Sequence, residues 1–152
     1  MKKIFKLFAA LPLAFGMLLA GCGNKPAPQP EPPAPAKTVE DVTTDINAIF
    51  NPLIGGDILS WYDDYGCYIG GLNLGAAQAT TDEEHDTELQ GAAEFVVSYL
   101  PEYLTVDAAG FEEEYDDYYI GLSVDEVGVD NFGYVNDSGN IIVQIQVTSI
   151  AE

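Results

Sequence analysis

The stretch Asn140-Ile141-Ile142-Val143-Gln144-Ile145-Gln146-Val147-Thr148-Ser149-Ile150 decides the fold. Val143, Ile145 and Val147 alternate with Gln144, Gln146 and Thr148. Successive side chains of a strand point to opposite faces, so this period of two puts aliphatic groups on one side and polar groups on the other. It marks a strand of an antiparallel sheet that is buried on one face. Just upstream, Asn136-Asp137-Ser138-Gly139 supplies the turn chemistry of a hairpin. Before that turn, Tyr118–Val124 and Val127–Val135 read as two further strands, and Tyr103–Val106 as a short one. The intervening Ala108–Asp117 is expected to be an acidic excursion.

Two helices are expected before this meander. Thr38 caps the first, with Asp41 three residues on as in a capping box. Val39, Val42, Ile46, Ile49 and Phe50 recur at helical spacing, and Asn51-Pro52 is expected to end the helix. The second starts near Thr81 or Asp86 and runs to Leu100, with Leu89, Ala92, Ala93, Val96, Tyr99 and Leu100 as its buried stripe and Pro101 as its stop. Between the helices, Ile58–Tyr62, the turn Asp63-Asp64-Tyr65-Gly66 and Cys67–Leu74 form a hairpin. Gly70 and Gly71 inside the return strand mark a bulge or a close backbone approach. The order is α-β-β-α-β-β-β. It predicts an α+β domain with two helices packed on one face of an antiparallel β-sheet.

Charge narrows the function. The chain has 25 acidic residues, 5 lysines and no arginine. All five lysines, Lys2, Lys3, Lys6, Lys25 and Lys37, precede Thr38, and Glu31 is the only acid that does, so 24 carboxylates follow Thr38. Recognition of nucleic acid or another polyanion needs Arg or Lys, so nucleic acid is not an expected partner. Trypsin has no site beyond Lys37 and is expected to release the following domain whole.

Little points to covalent catalysis. His85 is the only histidine, and Cys67 the only cysteine besides Cys22. Cys67 reads as a small buried hydrophobe, and its lack of basic neighbours leaves a thiolate unsupported. Paired carboxylates can hydrolyse a glycosidic bond when held apart in a cleft. Asp63 and Asp64 beside Trp61, Tyr62 and Tyr65 suggest that chemistry, but adjacent acids on a tight turn read first as turn formers. Hard cations such as calcium want several oxygen ligands, and Glu112, Glu114, Asp116 and Asp117 are the densest candidate set. None of the acidic runs has EF-hand spacing, and no cofactor is otherwise expected. Trp61, Tyr62, Tyr65, Tyr118 and Tyr119 are the candidate binding surface, because tyrosine offers contact area with a polar tip.

Residues 1–37 describe how the domain is held. Lys2, Lys3 and Lys6 precede an apolar run, Leu7–Leu19, too short to span a bilayer as a helix. Leu19-Ala20-Gly21-Cys22 follows and resembles the lipobox of bacterial lipoproteins, over residues 1–22 only. The resemblance implies removal of residues 1–21, a diacylglyceryl thioether on Cys22, and an extracytoplasmic position on the cell membrane or outer membrane. Residues 22–37 carry Pro26, Pro28, Pro30, Pro32, Pro33 and Pro35, which favour extended polyproline II geometry and make a lipid-anchored tether. The expected protein is a membrane-anchored lipoprotein presenting an acidic domain, residues 38–152, to a protein or glycan of the envelope. The alternatives are a carboxylate-dependent glycan hydrolase and a divalent-cation-binding domain.

Overall fold

The computed structural model describes residues 31–151. The expected signal segment and Cys22 lie outside the described residues. Ala36–Glu152 forms one compact unit, while the described part of the preceding unit, residues 31–35, is exposed irregular chain.

Helix α1 spans Val39–Ile54. The Thr38 hydroxyl accepts from the Asp41 N–H at 3.2 Å, and the Asp41 carboxylate accepts from the Thr38 N–H at 3.0 Å. Two otherwise orphaned donors are thereby satisfied. Val42, Ile46 and Phe50 form its buried stripe. The helix passes through Pro52 and ends at Gly55, whose φ of 77° lets its N–H reach back to the Asn51 carbonyl at 2.8 Å. Ala48, whose carbonyl Pro52 leaves without a donor, is exposed, so water can solvate it. The glycine, not the proline, sets the end.

The hairpin pairs β1 (Ser60–Tyr62) with β2 (Cys67–Ala76). Helix α2 follows at Asp82–Val97, capped by Thr81 and burying Leu89, Ala93 and Val96. It stops three residues before Leu100, and the Tyr99 and Leu100 N–H groups bond the Val96 and Val97 carbonyls in a tightened turn before Pro101. The meander is then β3 (Thr105–Glu112), β4 (Asp117–Val124), β5 (Val127–Val135) and β6 (Asn140–Ser149).

All strands pair antiparallel in one six-stranded sheet of order β1-β2-β6-β5-β4-β3. Helix α1 packs on β6, and α2 on β4, β5 and β6. This is the expected α+β class, with the strand of residues 140–150 at the centre. Ile141, Val143, Ile145 and Val147 are buried under the helices, while Gln144, Gln146 and Thr148 lie on the other face.

Ala108–Glu112 is a strand, not a loop. With Thr105–Asp107 it makes β3, joined to β4 by the turn 113–116, where Asp116 takes a φ of 58°. Its pattern is illegible because neither face is covered: seven of its eight residues are exposed, so no alternation was required of it. Two glycines mark close approaches. A Cβ at Gly70 would fall on the Ile58 carbonyl, and one at Gly133 would lie 3.0 Å from the Leu89 carbonyl of α2. The first is the backbone approach expected at Gly70; the second lets α2 settle onto β5.

Candidate functional site

The candidate residues fall into two groups on different parts of the sheet. Trp61, Tyr62 and Tyr65 sit on the β1–β2 hairpin; Glu112, Glu114, Asp116, Asp117, Tyr118 and Tyr119 sit around the β3–β4 turn. Four strand steps separate β1 from β4 in the sheet order, on the order of 19 Å at the usual strand spacing. The five aromatic residues are therefore not one surface.

At the hairpin, the Tyr62 carbonyl accepts from the N–H groups of Tyr65 and Gly66, closing the turn. The Trp61 indole N–H donates to Asp63 at 2.6 Å, and its ring meets Tyr68 edge-on at 5.1 Å. Asp63 is thus a tryptophan partner on an exposed turn. Trp61, half exposed, lines an open groove of about 450 Å³ with Lys37, Val39, Glu40, Glu126 and Val127.

Lys37, which lines that groove, is tied down on several sides. Its backbone N–H donates to Asp125 at 2.7 Å, and its ammonium lies 3.0 Å from the Asp45 carboxylate and 4.6 Å from the centre of the Tyr103 ring. The Tyr103 hydroxyl donates to the same Asp45 oxygen at 2.6 Å. Asp45 is held below the usual carboxylate range, first by the tyrosine hydroxyl and then by the lysine. Burial, and next the Asp45 bond, push the Tyr103 phenol well up. Lys37 was expected in the tether; instead it pins α1, the segment before β3 and the β4–β5 turn. Asp125 and Glu126 form that two-residue turn, and Asp125 accepts a φ of 50°. These contacts were missed because they join residues 8, 58 and 88 positions apart.

On β4, neighbouring tyrosines part. Tyr118 is only 5% exposed, on the helix-covered face, so it is not part of any exposed surface. Its phenol is pushed up by burial and then by Glu94. Tyr119 lies on the opposite face, where Gly121 leaves room for its ring. Its ring meets Phe132 at a tilt, 5.3 Å between centres, and its hydroxyl donates to Asp130 at 2.8 Å. Burial raises its pKa to about 12, helped by the Asp130 bond and by the charges of Asp130, Asp107 and Glu112.

Glu112 and Asp117 face each other where the β3–β4 hairpin closes. The Asp117 pKa is raised by burial first and then by Asp116 and Glu112. His85 of α2 lies 3.9 Å from Asp116. Among the described residues, no three acidic, histidine or cysteine side chains come together in a group that could hold a metal ion. Cys67 is buried and unpaired.

What sequence reading missed is most of β3: Thr105 and Val106 fall in the expected short strand Tyr103–Val106, but the strand runs on to Glu112. Val106 and Phe111 pair with the buried residues Leu122 and Tyr118, so they belong to the helix-side face. Yet they are 52% and 42% exposed, because α2 covers β4, β5 and β6. Phe111 is braced edge-on by Tyr118 at 4.8 Å. Asp107 sits at a shift in the β3–β4 register, between Val106 and Ala108. The available signal was Val106 and Phe111 flanking Ala108-Ala109-Gly110, small residues that suit an exposed strand.

Comparison with protein-family models, curated proteins and solved structures gave no significant match to this chain.

Proposed function

We propose that this chain is a lipid-anchored envelope protein whose acidic α+β domain binds a partner outside the membrane. The observation that carries the binding part is the β3 edge, where Val106 and Phe111 stay exposed beside a backbone edge that no described strand pairs. Exposed apolar side chains on a sheet edge are a liability unless something uses or guards them. The anchoring part rests on Leu19-Ala20-Gly21-Cys22 and on the proline-rich residues that follow. The Lys37 contacts support it too, since they join the start of the domain to three of its segments, as suits a chain held from that end.

The test is a labelled fatty acid fed to cells making the wild-type or the Cys22→Ala chain. The wild type should take up label, sediment with membranes and be removed by proteinase K added to intact cells. The variant should take up none and leave the membrane fraction. An unlabelled wild-type chain in the cytosol would contradict the reading.

A further inference from the structure

The partner's chemistry can be read from β3. Among the described residues the sheet order ends at this strand, so one side of its backbone pairs with β4 and the other presents N–H and C=O groups that no described strand pairs. Its two faces differ. Val106 and Phe111 project on the helix side, beyond the reach of α2. Glu112 projects on the other face, level with Asp117, while Asp107 is exposed at the register shift. Both carboxylates lie near enough to Tyr119, whose ring is on that second face, to help raise its phenol pKa.

A strand laid along β3 would send alternate side chains to these two faces. One set would cover Val106 and Phe111; the other would meet Asp107 and Glu112. We propose that β3 takes up an extended peptide of alternating apolar and basic residues as a seventh strand of the sheet. This deepens the binding reading above. A second copy of this chain is a poor occupant. Among the described residues the basic side chains are Lys37, held by Asp45, and His85, facing Asp116. Two β3 edges would therefore bring carboxylates against carboxylates. Charge and the register shift discourage self-pairing, while charge favours a cationic strand. Backbone pairing would supply affinity, and the apolar alternation register, as in other cases of strand addition.

The experiment uses the full chain purified in detergent from whole cells, wherever it is located. The probe is a blocked, fluorescent octapeptide of alternating Val and Lys. The controls are Gly-Lys and Val-Glu octapeptides of the same length. Val-Lys should bind at least roughly tenfold more tightly than either control. The double change Asp107→Asn and Glu112→Gln should weaken it about tenfold, the loss of two exposed ion pairs. Ala109→Pro and Gly110→Pro separate pairing from folding. At neighbouring ladder positions one N–H faces β4 and the other faces outward. The variant that keeps the wild-type melting temperature is the outward one, and it should abolish binding.

Equal binding of Gly-Lys would reduce the effect to diffuse attraction and overturn the proposal. So would binding that survives the outward proline, or a free protein already dimeric through β3. Because the peptide assay does not depend on acylation, its failure is distinct from failure of the fatty-acid test.

Discussion

The two edges of the sheet are built on opposite plans. The β1 edge is short, three residues, and is followed by a return strand whose Gly70 touches the Ile58 carbonyl. The β3 edge is eight residues long, carries no proline, and has open space around Gly110. One edge is closed by shortness and close packing. The other is guarded only by a register shift and by charge, which discriminate among partners without removing the pairing groups. The β3 edge therefore keeps the longer row of exposed pairing groups.

Glycine substitutions should separate the edges most sharply. Gly70→Ala drives a Cβ into main-chain atoms and should cost at least about 3 kcal/mol, or prevent folding. Gly110→Ala meets nothing within 4 Å and should leave stability unchanged or raise it by about 0.5 kcal/mol, by removing backbone freedom from the unfolded chain. Urea unfolding of both variants makes the comparison. If they are equally stable, the close approach at Gly70 is not what orders that edge.

Core and edge side chains come next. Ile145→Ala, at the buried centre of β6, should cost about 2–5 kcal/mol. Val106→Ala should change stability by under about 0.5 kcal/mol, because its side chain is half in water. A large loss at Val106 would mean that β3 is covered.

A third test uses pH. The Tyr119 pKa is raised in the folded chain to about 12. A group that holds its proton more tightly when folded contributes its full stability below its unfolded pKa. That contribution is lost as pH climbs from about 10 to about 12. Tyr119→Phe should flatten the fall in melting temperature over that window, and an unchanged slope would remove the link. Asp45, with a lowered pKa, behaves in the opposite sense. Its contribution is present above the ordinary carboxylate range and is lost as pH falls through its folded value.

The smallest expected effect is at Lys37. Lys25 precedes Pro26, a bond that trypsin cuts poorly, so Lys37 is the main tryptic site beyond Cys22. Its side chain is engaged on Asp45 and its N–H on Asp125, so release of the domain should be slow. Tyr103→Phe removes the hydroxyl that orients Asp45 and should speed cleavage about fivefold, for a contact worth about 1 kcal/mol. Rapid cutting of the wild type would show that the Lys37 contacts do not persist in solution.

The legible parts of this fold were those where burial forces a pattern. The alternation of β6, the Thr38–Asp41 cap and the tight position at Gly70 could all be read, because each satisfies a local rule. Strand β3 could be read only at its start, within Tyr103–Val106, since a strand exposed on both faces owes nothing to hydrophobic periodicity. The Lys37–Asp45–Tyr103 cluster was hidden for another reason: ion pairs between distant segments leave no spacing in the chain. The aromatic candidates failed as one surface because Tyr118 and Tyr119, adjacent in sequence, must face opposite ways in a strand. The period of two already said so.

The measurement that bears most directly on these edges is amide hydrogen exchange, resolved along each strand, with and without the Val-Lys octapeptide. In the free chain, alternate β3 amides should exchange quickly while the amides of β5 and β6 are protected. On adding peptide, those β3 amides should slow and the β1 amides should not change. Protection of all β3 amides before any peptide is added, or no change after it, would contradict the account.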